Sequence, residues 1–516
     1  MMSDVLIKKK NEVYLTINCE PHVQYELADE FTFEVPQAKF MSAYKKRYWD
    51  GKIKLYSPAT GEIYAGLLPY VTTFLQERGY PYAFLDNDVY GLPEEVDDLI
   101  TPTAVGAFVK GLQLPHKVRD YQYQAIYEAM RYKRRLLLSP TASGKSLMIY
   151  ALCRYFERKD LKTLIVVPTT SLVEQMYKDF VDYGWNAKHH CHKVYGGATP
   201  FSEKDVIITT WQSIYKLPKK YFENFGAVIG DEAHQFKAKS LTGIMNKLHD
   251  CKYRIGFTGT LDGLQTNRLV LEGVFGTCAK VTKTENLIKQ GHLSEFEIKI
   301  LLLKHKHQEF DTYQDEMEYL CSHDGRNRFI RNLVCDLEGN TLVLFNYVEK
   351  HGMPLFDLIN NHIGDSRQSF LIYGGVDTED REKARRIAET TKDSIIVASY
   401  GTFSTGINIR NLHYVVFASP SKSRIRNLQS IGRVLRKGEN KRKAVLYDIA
   451  DDISKGGRRN YTLNHLIERV KIYNEETFDY EFIDVNQQTK KICLLKNFWV
   501  QLCLYLAKRY YLKSHV

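Results

Sequence analysis

The stretch Ser139-Pro140-Thr141-Ala142-Ser143-Gly144-Lys145-Ser146 follows the apolar run Leu136-Leu137-Leu138 and precedes a segment of helical character, Leu147 to Phe156. A strand, a tight loop and a helix N-terminus in this order direct backbone N–H groups at one point, which makes a ready site for phosphate oxygens. Gly144 lets the backbone come close to the phosphates, Lys145 can reach the β- and γ-phosphates, and the Ser146 hydroxyl can join the ligand shell of Mg²⁺. The loop therefore predicts a bound nucleoside triphosphate and the start of an α/β domain.

One position departs from the pattern G-x-x-x-x-G-K-[ST]. Ser139 stands where the first glycine is expected. Taken alone, the stretch is also compatible with an ordinary glycine-containing helix start. A second element is needed to decide between these two interpretations.

That second element is an acidic group that follows another apolar run. Asp231-Glu232-Ala233-His234 comes directly after Ala227-Val228-Ile229. In loop-type nucleotide hydrolases, an acid at the carboxyl end of a strand holds Mg²⁺. We expect Asp231 to be this ligand together with Ser146, and Glu232 to orient and deprotonate the attacking water. The alternative is a solvated helix start, where acidic residues are also favoured, but the two elements in this order favour nucleotide hydrolysis.

Composition limits the kind of protein that carries these elements. The 516 residues suggest three or four domains, and a hydrophobic content of 44% is enough for buried cores. The net charge of +11 fits a polyanionic partner, although many other proteins share such an excess. Residues 1–10 are polar and basic rather than secretory in character, and no long uncharged apolar run predicts a membrane span. Nine cysteines without a CxxC pair favour reduced thiols and a cytoplasmic location.

The run His189-His190-Cys191-His192 invites a metal-binding interpretation. Neighbouring side chains on a strand point to opposite faces, so at most two of the four could share an ion. No second pair of ligands lies at a zinc-like spacing in the sequence. We therefore expect no metal centre from this run.

The chain before the loop, residues 1–110, has short alternating runs typical of strands and predicts a small α+β domain. Lys52 to Tyr56 and Ile63 to Ala65 predict a hairpin, and the prolines near Thr101-Pro102 and Leu114-Pro115 suggest a linker. A basic and aromatic stretch overlaps this region: Lys39, Phe40, Tyr44, Lys45, Lys46, Arg47, Tyr48, Trp49, Lys52 and Lys54. Its cations can meet phosphates while its rings stack on bases, and Lys45, Lys46, Arg47 and Trp49 are the predicted nucleic-acid contacts. A solvated basic face with buried rings is the alternative.

Two blocks of alternating strands and helices follow, over residues 111–285 and 286–450, and residues 451–516 favour helix. The pattern of each block is that of a parallel α/β sheet. The strands predicted for the first block are Arg135 to Leu138, Thr163 to Val167, Val206 to Thr210, Ala227 to Ile229 and Tyr253 to Thr258. Those predicted for the second are Ile298 to Leu303, Thr341 to Phe345, Ser369 to Ile372, Ser394 to Ala398, Val415 to Ala418 and Ala444 to Tyr447. A capping box at Ser171-Leu172-Val173-Glu174 predicts a helix start.

The second block has an arginine-bearing segment, Gln429-Ser430-Ile431-Gly432-Arg433-Val434-Leu435-Arg436. Helical spacing would place Arg433 and Arg436 on one face. Guanidinium groups supplied to a γ-phosphate stabilise the charge of the transition state, which makes Gln429, Arg433 and Arg436 candidates for catalysis. A basic helix that contacts solvent or nucleic acid is the alternative.

In this order the motifs resemble those of the superfamily 2 helicases and translocases across roughly residues 115–450. The elements that carry the resemblance are, in chain order, Arg119 to Gln122 upstream, the loop with Lys145 (motif I), Val167 to Thr170 (Ia), Thr209 to Ser213 (Ib), Asp231 to His234 (II), Thr258 to Thr260 (III), Ala398 to Ile409 (V) and Gln429 to Arg436 (VI). The first glycine of motif I is often replaced in this superfamily, which agrees with Ser139. Asn408 departs from the pattern, because an acid is frequent there.

The resemblance implies a role for each matching residue. Contacts with ATP are implied for Arg119, Gln122, Thr141, Ser143, Gly144, Lys145, Ser146 and Gly406. Catalysis is implied for Lys145, Asp231, Glu232, Gln429, Arg433 and Arg436, with Mg²⁺ at Ser146 and Asp231. Phosphate or sugar contacts with nucleic acid are implied for Thr169, Thr210 and Thr405, and coupling of hydrolysis to movement for His234, Thr258 and Thr260.

The same resemblance implies an α/β fold: two tandem RecA-like parallel-sheet domains, a small α+β N-terminal domain and a helical C-terminal extension. The basic N-terminal domain, the DEAH sequence and the compact length resemble those of the DNA helicases of T-even bacteriophages. That likeness implies an ATP-dependent monomer in the infected cell's cytoplasm that remodels branched DNA in recombination, repair and replication. Its expected partners are single- and double-stranded DNA, RNA–DNA hybrids and single-strand-binding or recombination proteins. A duplex translocase, an RNA helicase and a nucleic-acid-binding module with an inactive ATPase fold remain alternatives.

Overall fold

The computed structural model of the chain describes residues 4–93, 96–406, 409, 411–438, 441, 443–454, 459–485 and 492–494. The chain divides into two compact units, Met1–Lys283 and Thr284–Val516. Within the described ranges, each helix is too short or too polar to pass through a lipid bilayer.

The first unit begins with a small α+β module. Its strands are β1 Val5–Lys9, β2 Tyr14–Cys19, β3 Thr32–Glu34, β4 Lys52–Lys54, β5 Tyr56–Ser57, β6 Glu62–Tyr64 and β7 Tyr82–Leu85, and its helices are α1 Pro21–Glu30, α2 Ser42–Lys45 and α3 Leu68–Arg78. Five strands form a sheet in the order β5-β6-β2-β1-β7, and β3 pairs with β4 separately. The predicted hairpin is therefore only partly correct, because β5 pairs with β6 whereas β4 turns away to pair with β3.

The rest of the first unit is built on a seven-stranded parallel sheet in the order β10-β11-β9-β12-β13-β8-β14. Its strands are β8 Arg134–Leu138, β9 Thr163–Val167, β10 Cys191–Val194, β11 Val206–Thr210, β12 Ala227–Asp231, β13 Tyr253–Thr258 and β14 Cys278–Lys280. The helices are α4 Pro102–Lys110, α5 Asp120–Tyr132, α6 Lys145–Glu157, α7 Thr170–Asp182, α8 Ala187–His190, α9 Trp211–Ile214, α10 Lys219–Phe222, α11 Lys239–Lys247 and α12 Gln265–Phe275.

Alternate residues of each central strand enter two different cores, because successive side chains of a strand point to opposite faces. In β9, Ile165 packs in the core that includes α5, α6 and α7, and Leu164 packs in the core that includes α11 and α12. Helices on both faces make the central strands apolar throughout, as expected for a parallel sheet. This explains why uninterrupted apolar runs predicted these strands.

The linker predicted near Thr101-Pro102 is wrong for residues 101–110. Pro102 occupies the first turn of α4, and the Thr101 hydroxyl accepts the backbone N–H of Ala104 at 3.2 Å. Proline is well suited to the first turn of a helix and threonine to the cap, so these residues begin a helix instead of breaking the chain. Val105 and Val109 are buried in the core of the parallel sheet.

The N-terminal module is attached to the parallel-sheet domain by buried polar contacts. Arg134 in β8 donates from Nη2 to the Glu12 carboxylate at 2.5 Å, and the Tyr70 hydroxyl donates to Glu272 in α12 at 2.5 Å. At Gly66 the backbone approaches α12 so closely that an added Cβ would lie 2.0 Å from the Glu272 carbonyl oxygen. The module and the sheet domain are thus parts of one compact unit.

The second unit contains the other large sheet, in the order β17-β18-β16-β19-β20-β15-β21-β22. Its strands are β15 Glu295–Lys304, β16 Thr341–Phe345, β17 Gln368–Ile372, β18 Ser394–Ser399, β19 Tyr414–Phe417, β20 Lys443–Asp452, β21 Tyr480–Val485 and β22 Ile492–Leu494. Its helices are α13 Thr284–Lys289, α14 Tyr313–Ser322, α15 Asp324–Asp336, α16 Met353–Ile363, α17 Thr378–Thr390, α18 Tyr400–Gly406, α19 Arg424–Val434 and α20 Tyr461–Glu475. The first seven strands are parallel, which confirms the predicted pair of parallel-sheet domains.

The helical extension predicted for residues 451–516 is only partly correct. The helix α20 is present, but the chain then forms β21, which pairs in parallel with the central strand β15, and β22, which pairs with β21. Phe482, Ile483 and Val485 are buried, so β21 has buried residues on both faces, as expected for a strand of a covered parallel sheet. Residues 486–491 and 495–516 lie outside the described part of the chain.

Candidate active site

The phosphate-binding loop is closed by hydrogen bonds between its own residues. The hydroxyl groups of Ser139 and Ser143 lie 2.5 Å apart, and Ser143 donates to the Pro140 carbonyl at 2.6 Å. Gly144 has a φ of +82° and starts α6. Ser139 therefore fits the position of the missing glycine, because its hydroxyl is satisfied within the loop. Lys145 and Ser146 form the first turn of α6, and Thr141 is half-buried in the loop.

The upstream element Arg119 to Gln122, for which contacts with ATP are expected, packs against this loop. Gln122 is buried, and its Nε2 donates to the Ser143 carbonyl at 2.8 Å while its Oε1 accepts the Arg119 backbone N–H at 2.9 Å. The Tyr121 hydroxyl donates to the same Ser143 carbonyl at 3.1 Å, and Arg119 Nη1 donates to that hydroxyl at 2.7 Å. An added Cβ at Gly144 would lie 2.3 Å from Gln122 Nε2, so a larger residue there would have to displace the amide group that donates to the Ser143 carbonyl.

The acidic element lies beside the loop, at the carboxyl end of β12. Asp231 is buried, and Glu232 follows it with a φ of +51°, a left-handed conformation that is rare for residues other than glycine. This turn brings Glu232 Oε1 to 3.7 Å from Lys145 Nζ. Residues that are remote in sequence thus meet at the same edge of the sheet.

Burial raises the pKa of Asp231 to about 6, and the neighbouring charge of Glu232 acts in the same direction, opposed by Lys145. The Ser146 hydroxyl and the Asp231 carboxylate are hard oxygen donors of the kind that Mg²⁺ prefers. A buried carboxylate beside a second one is stabilised by a dication. The donor set therefore fits Mg²⁺.

The predicted coupling residues form a chain of contacts from this site to β13. His234 Nδ1 lies 3.3 Å from Glu232 Oε2 and 3.0 Å from Thr258 Oγ1. The Thr258 hydroxyl donates to the Thr260 carbonyl at 3.0 Å, and the Thr258 carbonyl accepts the Ser139 N–H at 2.8 Å. Motif III is thereby joined to both the acidic element and the loop.

The first unit's other predicted nucleic-acid contacts lie at the carboxyl ends of neighbouring strands. Thr169 follows β9 and caps α7, where its hydroxyl accepts the Leu172 N–H at 3.4 Å. The capping box predicted at Ser171 is therefore wrong, because α7 begins at Thr170 and its capping residue is Thr169. Thr210 ends β11, is buried, and lies with its hydroxyl 3.0 Å from that of Ser213.

The basic and aromatic stretch of the N-terminal module forms an open depression of about 560 Å³. Its lining residues are Lys39, Tyr44, Lys45, Arg47, Tyr48, Trp49 and Asp50. The side chains of Lys45, Lys46 and Arg47 are exposed, as are the rings of Phe40 and Tyr48. Trp49 is half-buried, and its indole N–H donates to the Lys52 carbonyl at 2.7 Å. The rings are thus not a buried core beneath a basic face, which was the alternative interpretation.

In the second unit, α19 carries Gln429 and Arg433, both half-buried, and the Arg433 guanidinium lies 5.6 Å from the ring centre of Phe403. The helix ends at Val434, so Arg436 lies beyond it. The prediction that the two arginines share one helical face is therefore wrong. Motif V falls mostly on α18. The side chain of Thr405 and all of Ile407 and Asn408 lie outside the described part of the chain.

The histidine-rich run has an arrangement that the sequence did not reveal. His190 ends α8, and its Nδ1 lies 2.7 Å from Asp205 Oδ2 and 3.1 Å from Glu157 Oε1. These three residues are a candidate group for holding a metal ion, although Arg154 donates to the other Glu157 oxygen at 2.7 Å. The partners come from α6 and from the residue before β11, so no local spacing could have indicated them.

Three family models match separate parts of the chain. Residues 4–86 match the model described as "DNA helicase UvsW, N-terminal", and residues 115–263 match "Type III restriction enzyme, res subunit". Residues 326–438 match "Helicase conserved C-terminal domain". The matches cover the N-terminal module and part of each of the two large sheets.

Individual relatives agree with these models. The ATP-dependent DNA helicase UvsW of enterobacteria phage T4 is 34% identical over an alignment that covers 94% of this chain and 100% of that protein. A crystal structure of T4 UvsW matches with a TM-score of 0.50 and 31% identity over 94% of this chain and 100% of that one. The DNA 3′-5′ translocase XPB2 of Sulfurisphaera tokodaii is 24% identical over 64% of this chain and 81% of that protein. The motifs, the two parallel sheets and these matches together show that the chain belongs to the UvsW family of superfamily 2 helicases.

Proposed function

We propose that this protein is an ATP-dependent DNA helicase that unwinds and remodels branched DNA, including forks, Holliday junctions and R-loops. The observation that carries the proposal is the meeting of Lys145, Asp231 and Glu232 at one edge of the parallel sheet, with 3.7 Å between Lys145 Nζ and Glu232 Oε1. A cation for phosphates, a buried acid and a second acid beside it are the groups that phosphoryl transfer to water requires. The relationship to UvsW supports DNA as the track.

ATP would lie against the phosphate-binding loop, with Lys145 at the β- and γ-phosphates and with Arg119 and Gln122 at the base. Thr141, Ser143 and Gly144 would direct backbone N–H groups at the phosphates. Ser146 and Asp231 would hold Mg²⁺, which when bound offsets the charge of the phosphate oxygens. Glu232 would orient the attacking water and accept its proton. On binding ATP, Lys145 would exchange its contact with Glu232 for the phosphates.

The second unit would contribute positive charge to the reaction. Arg433 and Arg436, with Gln429, are proposed to act at the γ-phosphate, and Gly406 near the nucleotide. Guanidinium groups delivered in this way favour the transition state over the bound substrate. The His234–Thr258–Thr260 contacts would transmit hydrolysis to movement of the DNA-binding elements.

DNA is proposed to be held through its backbone. Thr169, Thr210 and Thr405 would contact phosphates or sugars, and the N-terminal depression with Lys45, Lys46, Arg47 and Trp49 would add cations and stacking surface. Such contacts read no base sequence, so shape and strand structure would decide the substrate. RNA–DNA hybrids and single-strand-binding or recombination proteins are proposed partners of a monomer in the cytoplasm.

The test is ATP hydrolysis measured as phosphate release across a panel of single-stranded DNA, duplex, fork, four-way junction and RNA. The proposal expects the greatest stimulation by the branched DNAs and loss of hydrolysis in Lys145→Ala. Lys178→Ala, an exposed lysine on α7, is the matched control and should hydrolyse ATP normally. If RNA stimulates ATP hydrolysis and none of the DNAs does, the protein is an RNA helicase and not a DNA helicase. Hydrolysis without strand separation would indicate a duplex translocase.

A further inference from the structure

The end of α19 is held by a buried lysine from the segment that follows it. Lys441 Nζ donates to the carbonyl oxygen of Val434, the last residue of the helix, and to that of Arg436 at 3.1 Å. The residue is only 5% exposed. The last carbonyl groups of a helix lack partners within it and carry the negative end of its dipole, so an ammonium group at this point satisfies both.

The two hydrogen bonds from Lys441 fix the backbone next to the candidate catalytic arginines. Arg433 directly precedes the first carbonyl, and Arg436 carries the second. Between them, the Leu435 carbonyl accepts the Ser294 N–H at 2.9 Å. Arg436 lies beyond the helix, so helical hydrogen bonding does not set its backbone position, and the lysine contact takes over that role.

We propose that Lys441 is a positioning residue for ATP hydrolysis, which holds the turn at the end of α19 so that Arg433 and Arg436 are presented to the γ-phosphate in a fixed arrangement. The inference rests on the proposed function, because it assumes that these two guanidinium groups act on ATP. Lys441 acts through Arg436 and has no assigned contact with ATP or DNA. Fixing donors in advance lowers the reorganisation that the transition state would otherwise require.

The burial of Lys441 gives this role a pH dependence. Burial lowers the pKa of its ammonium group to about 7, so the group loses charge as the pH rises through neutrality. Among the described residues, His413, which precedes β19, has a pKa that responds to the charge of Lys441. Burial is the main reason that the pKa of His413 is lowered; the charge of Lys441 lowers it further, and the charge of Asp393 opposes both effects. Because the pKa of His413 moves downward, its titration does not overlap the loss of charge from Lys441 above neutral pH.

The experiment compares Lys441→Met, which removes the charge, with Lys441→Arg, which keeps it at every accessible pH. Lys247→Met is the matched control, since Lys247 Nζ donates to two backbone carbonyls of the first unit, those of Tyr215 and Leu217 at 2.8 and 2.7 Å. ATP affinity, kcat of DNA-stimulated hydrolysis between pH 6 and 9, and the Tm of the full chain are measured for each.

Lys441→Met should bind ATP with unchanged affinity but lose about tenfold or more in kcat, because an interaction made in the transition state is removed. The wild-type kcat should fall as the pH rises above about 7, and this fall should be absent from Lys441→Met and Lys441→Arg. Lys441→Arg should retain most of the activity. Lys247→Met should change at most the Tm.

Wild-type kcat in Lys441→Met, or the same fall above neutral pH in Lys441→Arg, would overturn the inference. If Lys441→Met does not fold, the pH profile of Lys441→Arg decides. Arg433→Ala, measured in parallel, distinguishes the proposed role of the arginines from the positioning role of Lys441. Normal turnover in Arg433→Ala removes the proposed role of the arginines themselves, whereas loss in Arg433→Ala with normal Lys441→Met rejects only the positioning role.

Discussion

Asp231 shows how a single residue can favour function at the expense of stability. Its carboxyl group is buried at the end of β12, and burial together with the Glu232 charge raises its pKa to about 6 from an ordinary value of 3.8. The folded protein thus holds the proton more tightly than the unfolded chain does. The free energy of unfolding should therefore decrease as the pH rises from about 4 to about 6 and stay low above that range.

Asp231→Asn should raise the stability of the ATP-free protein at pH 7.5 by on the order of 1–3 kcal/mol, because the amide has no charge to bury. Its oxygen can still accept the Glu232 N–H, which Asp231 Oδ1 accepts at 2.9 Å. Thermal unfolding without nucleotide measures the effect. The gain should shrink toward pH 5. Asp29→Asn, on the exposed side of α1, is the control and should give no gain; a gain equal at pH 5 and 7.5 would contradict the assignment.

At the scale of elements, the contact between the N-terminal module and α12 depends on one glycine. Gly66→Ala would place a methyl group 2.0 Å from the Glu272 carbonyl oxygen and 2.6 Å from that of Gly273, and both acceptors belong to helix backbone that cannot move aside cheaply. We expect a loss of about 1–3 kcal/mol or more in the free energy of unfolding.

Gly106→Ala is the matched control, because Gly106 lies inside α4 with open space around its Cβ position. It should leave stability unchanged or raise it by up to about 1 kcal/mol, the helix propensity gained by alanine. Denaturant unfolding compares the two variants. Equal stability of Gly66→Ala and wild type would mean that the module is not packed on α12 in this way.

Most elements of the two sheets could be predicted from the sequence, and the exceptions have physical reasons. Buried parallel strands such as Thr163–Val167 are apolar on both faces and are recognised without knowledge of the fold. The strands Cys191–Val194 and Cys278–Lys280 were missed because they are short edge strands with polar residues. The sequence predicts a linker in place of α4 because proline marks both helix starts and chain breaks.

The site was predictable in its residues more than in its geometry. The spacing of motifs predicts one site with Lys145, Asp231 and Glu232, and the structure places Lys145 and Glu232 3.7 Å apart, but the left-handed turn at Glu232 has no signal in the sequence. The contact of Lys441 with the Val434 carbonyl at the end of α19 has no signal in the sequence either. Contacts between residues far apart in the chain, such as His190 with Glu157, could be found only in the structure.

At the scale of the whole molecule, the basic depression and the phosphate-binding loop belong to the same compact unit, so we expect DNA bound at the depression to be attached to the unit that carries the loop. Reversal of charge at three exposed residues, in the triple variant Lys45→Glu, Lys46→Glu and Arg47→Glu, should weaken binding of forked DNA by about tenfold or more at low salt. The salt dependence of binding should become less steep, because fewer counterions are released from the DNA.

The control for this variant reverses three exposed lysines elsewhere in the first unit, Lys110, Lys178 and Lys220. It carries the same change in net charge, so it separates a local contact from general attraction. Binding of a labelled fork is followed from low to physiological salt, with ATP affinity as the check on folding. Equal affinity in both triple variants would show that the depression does not contact DNA.

The central claim, that ATP used at Lys145 drives the rearrangement of DNA, is tested most directly by strand separation on a forked DNA substrate. The rate is measured for the wild type and for Lys145→Ala, with and without ATP, at equal occupancy of the fork. The account predicts separation by the wild type only when ATP is present, and none by Lys145→Ala although it still binds the fork. Separation by Lys145→Ala at the wild-type rate, or ATP-independent separation by the wild type, would contradict it.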